Sequence, residues 1–265
     1  MRTVVCVKHT PDSEARLSVD DTGSISWGDS PLILNPWDEY AVEEALLLRE
    51  AHGGSVTALS VGDEGALEAL KQAVAMGCDE ALRVWDDGCE GGDSLATSRL
   101  LSSAIRRAGD VDLVLFGRSA IDGDTWQTGP AVARRLGFAS LAYVIEIAEL
   151  DPEGGTILVE RLLEQGREVV SARLPAVVGT TKGINEPRYT SFRGIRKASR
   201  MAYPCWTAED AGLEASQTGA AGSAVRWPNV FAPPPRGGQA EIIQGDSCEE
   251  TARSLVGRLL ADKVI

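Results

Sequence analysis

Two kinds of segment alternate along the chain, short aliphatic or β-branched runs and longer stretches with helical spacing. Thr3–Val7 is a β-branched apolar run that predicts a first strand and delivers Lys8 and His9 to its carboxyl end. Arg16–Trp27 alternates loosely around DDTG and predicts an excursion hairpin. A helix then opens at Asn35-Pro36-Trp37-Asp38, with Asn35 or Asp38 as its cap and Glu39, Glu43 and Glu44 toward its positive end. Ala41, Val42, Ala45, Leu46 and Leu48 give it a buried face through about Ala51, where HGG stops it. Val56–Val61, ending at Gly62, predicts the second strand, Ala66–Met76 a helix closed by Gly77, and Ala81–Trp85 the third strand. Asp93 caps a predicted helix over Ser94–Ala108. This strand–helix rhythm, with links long enough for right-handed crossovers, predicts an α/β fold with a mainly parallel sheet, doubly wound by helices on both faces.

The stretch Asp112–Pro130, DLVLFGRSAIDGDTWQTGP, organises the rest. Leu113–Phe116 is short and wholly apolar, as a strand buried on both faces is. Gly117 ends it, a polar loop follows, and helical spacing resumes over Thr125–Leu136. Loops of this kind lie at the carboxyl ends of parallel strands, where open α/β sheets bind ligands. Gly123 and Gly129 allow close backbone approach, Thr125, Gln127 and Thr128 supply hydroxyl and amide groups, and the following helix offers free N–H groups to an anion. Asp122 and Asp124 would repel phosphate, and fit better as helix caps or acceptors of ribose hydroxyls. A capped helix after a buried strand, with no ligand, accounts for the same residues.

Beyond this point the pattern changes. Ser140–Ile147, Thr156–Leu163, Glu168–Ala172 and Ala176–Gly179 read as strands with tight turns at DPEGG and EQG, antiparallel or mixed, added to the sheet edge. NEPRYTSFRGIRKASR reads as a cationic loop carrying Tyr189, Phe192 and Ile195. Trp206–Gly238, rich in Ala, Gly and Pro with PPP at 233–235, suits an extended arm. Ser247–Lys263 closes as an amphipathic helix with Cys248, Ala252, Leu255, Val256, Leu259 and Leu260 on one side.

Composition narrows the function classes. The net charge of −13 argues against nucleic acid or an anionic membrane as partner. Five scattered cysteines with no CxxC pair read as reduced thiols, with no metal site. The N-terminus runs straight into a strand, leaving no room for a signal or transit peptide, and no apolar run approaches the ~20 residues of a membrane helix. The expectation is a cytoplasmic protein without membrane insertion. GxGxxG, Walker, HExxH and GxSxG motifs are absent. Of the two histidines, His52 reads as a helix C-terminus and His9 stands at a strand end, so self-contained catalysis is disfavoured and no catalytic residue is assigned.

VCVKHTPD, NPWDEYAVEEAL, AMGCDEAL, AIDGDTWQTGP, LPAVV and INEPRY followed by FRGIRKA occur in one order, and over about residues 1–200 they resemble the beta subunit of electron transfer flavoprotein. The resemblance implies an adenine nucleotide alpha hydrolase-like sheet with antiparallel edge strands. It implies a nucleotide-binding domain over 1–205, including a recognition loop at 187–200, and a C-terminal arm and helix over 206–265 that pack on a larger alpha subunit. The heterodimer shuttles electrons through an FAD held mostly by that alpha subunit. The beta subunit buries AMP, or in a branch that includes electron-bifurcating members a second FAD. DGDTxQxGP and RGIRKA lean toward the FAD branch, while Trp126 and Trp37 stand where smaller residues are common.

Carried onto this sequence, the pocket uses Cys6, Lys8, Asn35, Pro36, Trp37, Asp38, Val61, Gly62, and Ala120, Ile121, Asp122, Gly123, Asp124, Thr125, Trp126, Gln127, Thr128 and Gly129. Tyr189, Phe192, Arg193, Ile195 and Lys197 would dock acyl-CoA dehydrogenases or related flavoenzymes, with Phe192 as the anchor. Arg188, Arg193, Arg196, Lys197 and Arg200 would form a basic rim that steers an acidic partner. The readings from other classes are an adenine-nucleotide-sensing module without a redox role, and a hydrolase or ligase of the same fold, for which no phosphate-activating motif is present.

Overall fold

Alternation along the first strand decides the layers. In the computed structural model, which describes residues 1–234, 237 and 240–265, β1 (Arg2–Cys6) sends Val5 to one face of the sheet and Val4 and Cys6 to the other. The chain then leaves the sheet for β2 (His9–Pro11), a hairpin of β3 (Ser18–Val19) and β4 (Ile25–Ser26), and β5 (Leu32–Leu34), which pairs antiparallel with β2. The predicted alternation follows, through α1 (Pro36–His52), β6 (Ser55–Val61), α2 (Ala66–Met76), β7 (Glu80–Val84), α3 (Ser94–Ala108), β8 (Leu113–Gly117) and α4 (Thr128–Leu136). α1 and α2 cover the Val5 face with Val42, Leu46 and Leu70, and α3 and α4 cover the Val4 face with Leu100, Ile105 and Val132.

After α4 come β9 (Ala139–Asp151), β10 (Thr156–Leu163), β11 (Gly166–Arg173), β12 (Ala176–Thr180), α5 (Phe192–Ala198), β13 (Cys205–Trp206), α6 (Gly219–Gly222) and α7 (Cys248–Ala261). The main sheet has nine strands in the order β11-β10-β9-β12-β8-β1-β6-β7-β13. β1 pairs in parallel with both β6 and β8, so the winding direction reverses between β1 and β8. The expected edge addition is corrected in part. β12 lies inside the sheet, parallel to both β8 and β9, and the antiparallel ladders of this sheet are β9–β10 and β10–β11, so β10 runs against the other strands. The physical reason is that Ala176, Val177 and Val178 are buried in succession, which requires cover on both faces.

The last helix of the alternation starts later than its spacing suggests. Asp124 and Trp126 have φ of 44° and 59°, a left-handed backbone that no helix continues, so α4 begins at Thr128. The cationic segment expected as a loop contains a short helix, α5, capped by Ser191, whose Oγ accepts from the Gly194 N–H at 3.0 Å. Gly194 rests against the Ala75 carbonyl of α2, where a Cβ would collide. Arg188 anchors the approach to α5, its Nε and Nη2 donating to both oxygens of Glu43 on α1 at 2.8 and 2.9 Å, and its Nη1 to Glu50 at 2.7 Å.

The extended arm expected from Trp206 begins instead as packed structure. Cys205 and Trp206 pair with Arg83 and Val84 of β7, Ala208 and Ala211 are buried, and Ser103 of α3 donates to the Ala211 carbonyl at 2.6 Å. Asp93 caps α3 as predicted, and its second oxygen accepts from the Ala224 and Val225 N–H groups. One compact unit spans Met1–Asn229 and a second spans Val230–Ile265. Pro235, Arg236 and Gly238 of the expected arm lie outside the described residues. Within the second unit, Ser247 caps α7, and Leu255, Val256 and Leu260 of its predicted apolar side are exposed.

Glu43 is nearly fully buried, and its charge is met by Arg188. Replacing Arg188 by Ala leaves that carboxylate unpaired and is expected to lower unfolding free energy by about 2–4 kcal/mol. Urea unfolding of this variant, and of an Arg188→Met, Glu43→Leu pair expected to recover most of the loss, checks it.

Candidate functional site

The carboxyl ends of β1 and β8 are joined by the first turn of α1. Asp38 is buried there, and its carboxylate bridges the two strands, accepting from the Lys8 N–H at 2.8 Å and the Gly117 N–H at 3.1 Å. Asn35 N–H donates to the Lys8 carbonyl at 2.9 Å. The Asn35 side chain reaches the other way, donating to the Ser119 carbonyl at 2.8 Å and accepting from the Ile121 N–H at 3.2 Å. The expectation that Asn35 or Asp38 caps α1 is corrected, because neither side chain makes a cap bond. Pro36 has no N–H, and both polar side chains are committed across the crevice. Gly117 is glycine for a steric reason, since a Cβ there would lie 2.4 Å from the Asp38 carboxylate and 2.5 Å from the Trp37 backbone.

The loop from Arg118 to Gln127 closes over this turn. The Ala120 carbonyl accepts from Gly123 and Asp124 N–H, giving a tight bend with Ile121 and Asp122 at its crest. Asp122 accepts from the Lys8 ammonium at 2.6 Å. Asp124 accepts from the Trp126 indole N–H at 2.5 Å, so neither aspartate caps α4. Thr125 Oγ1 lies 3.3 Å from Ser94 Oγ, tying the loop to the start of α3. Gln127 occupies the N-cap position of α4 without a side-chain bond, so no side chain caps the Thr128 and Gly129 end of that helix. Among the described residues nothing beyond its chain neighbours lies within 4 Å of a Cβ built on Gly123, which leaves an open approach to the backbone.

The neighbouring strand end is shaped by His9. Its ring lies against Gly62, where a Cβ would meet both His9 Cε1 and Ala66 at 3.0 Å, and Val61 precedes it at the end of β6. Among the described residues His9 Nδ1 is buried without a partner, and burial lowers the ring's pKa, favouring the neutral form. Cys6 faces the opposite core among Leu59, Val114 and Phe116, and burial pushes its thiol well up. Its side chain packs the core beneath the site.

The fold therefore brings Lys8, Asn35, Asp38 and the Ala120–Gly129 loop together at the switch point, with Val61 and Gly62 one strand over. Sequence reasoning missed Arg118 and Tyr143. Arg118 Cζ lies over the Trp37 ring at 3.9 Å and over the Trp126 ring at 4.4 Å, and Trp126 packs on Tyr143 at 4.7 Å between centroids. A lone arginine after a strand-ending glycine carries no periodic signal. The only pointers were Trp126 and Trp37 themselves.

This arrangement suits an anionic ligand. It offers an uncapped helix N-terminus, a buried imidazole nitrogen and a buried guanidinium nitrogen without acceptors, and backbone open at Gly123. Away from the crevice, Tyr189 and Phe192 are 98% and 94% exposed and Ile195 is half exposed. Two cations of the expected basic rim are already engaged: Arg188 with Glu43 and Glu50, and Lys197 with the Cys78 and Asp79 carbonyls at 2.8 and 3.2 Å. No helix among the described residues is long and apolar enough to cross a membrane.

A model of the electron transfer flavoprotein domain matches residues 28–211. The chain is 40% identical over 249 residues to the protein FixA of Azorhizobium caulinodans, covering 92% of this chain and 88% of that one. It is 38% identical over 266 residues to the caffeyl-CoA reductase-Etf complex subunit CarD of Acetobacterium woodii, covering all of both chains. The electron transfer flavoprotein subunit beta of Clostridium acetobutylicum is 36% identical, again over the full length of each.

Burial pushes the Asp38 carboxyl up to about 7, against the pull of the Lys8, Asn35 and Gly117 donors. A native pKa above the unfolded value of about 3.9 means that the folded state binds the extra proton. The stability contributed by protonated Asp38 is full below pH ~4 and lost as pH rises through about 7. The difference in melting temperature between wild type and Asp38→Asn is expected to shift against wild type from pH 4 to 7 and then level off. Glu39 and Glu44, also raised by burial, titrate alike in both proteins. A pH-independent difference would refute the assignment.

Proposed function

Because the chain belongs to the electron transfer flavoprotein family, among its beta-type subunits, we propose that it is the beta subunit of a heterodimer that carries electrons between flavoenzyme dehydrogenases and an acceptor. The observation that carries the nucleotide part of this reading is the crevice between β1 and β8. There Asn35 and Asp38 fix the strand ends and the Ala120–Gly129 loop presents open backbone and an uncapped helix start. In this reading the crevice takes the adenosine phosphate portion of FAD, and a larger alpha subunit completes the environment of the flavins. AMP is the competing occupant. A bound flavin supplies the electron-accepting and electron-donating ring. This chain's residues bind the nucleotide, hold the loop and present the docking face, and none of them forms a covalent intermediate.

The likeness to a subunit named for a caffeyl-CoA reductase complex supports a flavoenzyme partner acting on a CoA thioester. Tyr189 and Phe192 form the docking face we assign to it, on a segment fastened to α1 by Asn185 and Arg188 and to the turn after α2 by Lys197. A large apolar anchor on a rigid, short helix loses little conformational entropy on docking.

Two experiments test the reading. Coexpressed with an alpha-type subunit, the complex is expected to release two FAD and no AMP per heterodimer on denaturation. One FAD and one AMP would reassign the crevice to AMP, and no flavin would overturn the carrier role. Phe192→Ala is expected to raise the Kd for a cognate flavoenzyme dehydrogenase by about thirtyfold. It should leave the melting temperature unchanged, since the ring is almost fully exposed. Equal Kd values for variant and wild type would remove Phe192 from the interface.

A further inference from the structure

Arg118 is held by its faces and left free at its edges. The Trp37 and Trp126 rings lie 3.9 and 4.4 Å from its Cζ, both within cation–π range. The holding is backed from behind, since Trp126 bonds to Asp124 through its indole N–H and packs on Tyr143. Asp124, Trp126 and Tyr143 all have left-handed backbones, at φ of 44°, 59° and 61°. Three non-glycine residues in that region around one guanidinium mark a local arrangement that the surrounding fold enforces.

The edge of the guanidinium tells the rest. Arg118 Nε is buried with no acceptor, and among the described residues no carboxylate or carbonyl hydrogen-bonds to this side chain. Guanidinium groups with a structural role in this chain are paired at their edges: Arg49 with Asp79 and the Gly77 carbonyl, Arg161 with the Ala142 carbonyl and Glu168, Arg188 with Glu43. Arg83 also has unpaired edge nitrogens, but it stands on β7, two strands from the switch point, without aromatic faces. The other cation of the crevice, Lys8, is committed to Asp122. An aromatic-clamped guanidinium with an open fork matches an oxyanion in its own plane, and phosphate is the oxyanion an adenine nucleotide brings.

We infer that Arg118, clamped between Trp37 and Trp126, is a specificity-determining residue that receives the 5′-phosphate group of the nucleotide in this crevice. The inference rests on the crevice being an adenine-nucleotide site. The phosphate could belong to a mononucleotide or to one end of a dinucleotide, and the chemistry at Arg118 is the same. The aromatic clamp fixes the fork before the ligand arrives, so discrimination falls on the phosphate and not on the base or ribose.

The test is calorimetric titration of AMP and of adenosine into the nucleotide-stripped heterodimer, for wild type, Arg118→Met and Arg118→Lys. Arg118→Met, which keeps an apolar side chain between the indoles, is expected to weaken AMP about tenfold or more and to leave adenosine unchanged. Arg118→Lys, which keeps the charge without the planar fork, should fall between the two for AMP and match wild type for adenosine. Equal weakening of AMP and adenosine would make the clamp merely structural, and undiminished AMP binding by both variants would remove Arg118 from the phosphate; either overturns the inference. Wild type that binds neither AMP nor adenosine would instead overturn the adenine-nucleotide reading on which it rests. If Arg118→Met does not melt cooperatively, the lysine variant alone decides, by whether its loss is confined to AMP.

Discussion

The carboxylate of Asp38 is the interaction on which the site depends. Two neighbouring parallel strands diverge at their carboxyl ends where the winding reverses, and the divergence leaves the Lys8 and Gly117 N–H groups without a ladder partner. Asp38 meets both donors from the first turn of α1. A buried carboxylate is costly, and accepting two backbone donors offsets part of its desolvation. Gly117 follows from this, since only a glycine leaves room for the turn to lie so close. Asn35 extends the same logic outward by fixing Ser119 and Ile121, so the loop that would cover a ligand is positioned by α1 and not by its own hydrogen bonds alone.

The same helix also secures the exposed segment at the other functional surface. Glu43 and Glu44, one turn beyond Asp38, hold Arg188 and Asn185, and Glu50 near the C-terminus of α1 takes a second edge of Arg188. The crevice and the Tyr189–Phe192 surface are thus built from opposite ends of a single 17-residue helix packed on one face of the sheet. α2 and the turn after it complete the support, through the Ala75 carbonyl against Gly194 and the Cys78 carbonyl accepting from Lys197. Both surfaces are anchored to regular elements, the crevice through α1 and the Tyr189–Phe192 segment through α1 and α2.

Much of this was legible in the order of residues. Apolar runs bounded by glycine place the strands, Asp93 and Gly77 mark helix ends, and the Asp112–Pro130 stretch reads as a strand, loop and helix, because these signals are local in sequence. What could not be read depends on contacts between distant positions. The central place of β12 is set by cover from both faces, and Asn35 and Asp38 looked like helix caps because capping is the local use of such residues. Thr125–Gln127 carried helical spacing, yet Trp126 turns left-handed to meet Arg118 and Tyr143, a tertiary demand with no periodic trace. Likewise Arg188 and Lys197 look like free surface cations in the sequence, and only folding brings them to Glu43 and the Cys78 carbonyl.

The two aspartates of the loop posed an apparent contradiction for a phosphate-binding site, and their contacts remove it. Asp122 is neutralised by Lys8, which converts the pair into a pin between the loop crest and the end of β1. Asp124 is turned to the Trp126 indole, where it orients the ring that clamps Arg118. Neither carboxylate caps the start of α4, so the Thr128–Gly129 amides and the helix dipole keep their pull on an anion. Negative charge in this loop therefore acts by ordering positive and aromatic groups around the crevice. A net charge of −13 is therefore no barrier to an anion at this crevice, because local placement at a few ångströms outweighs the screened field of distant surface charges.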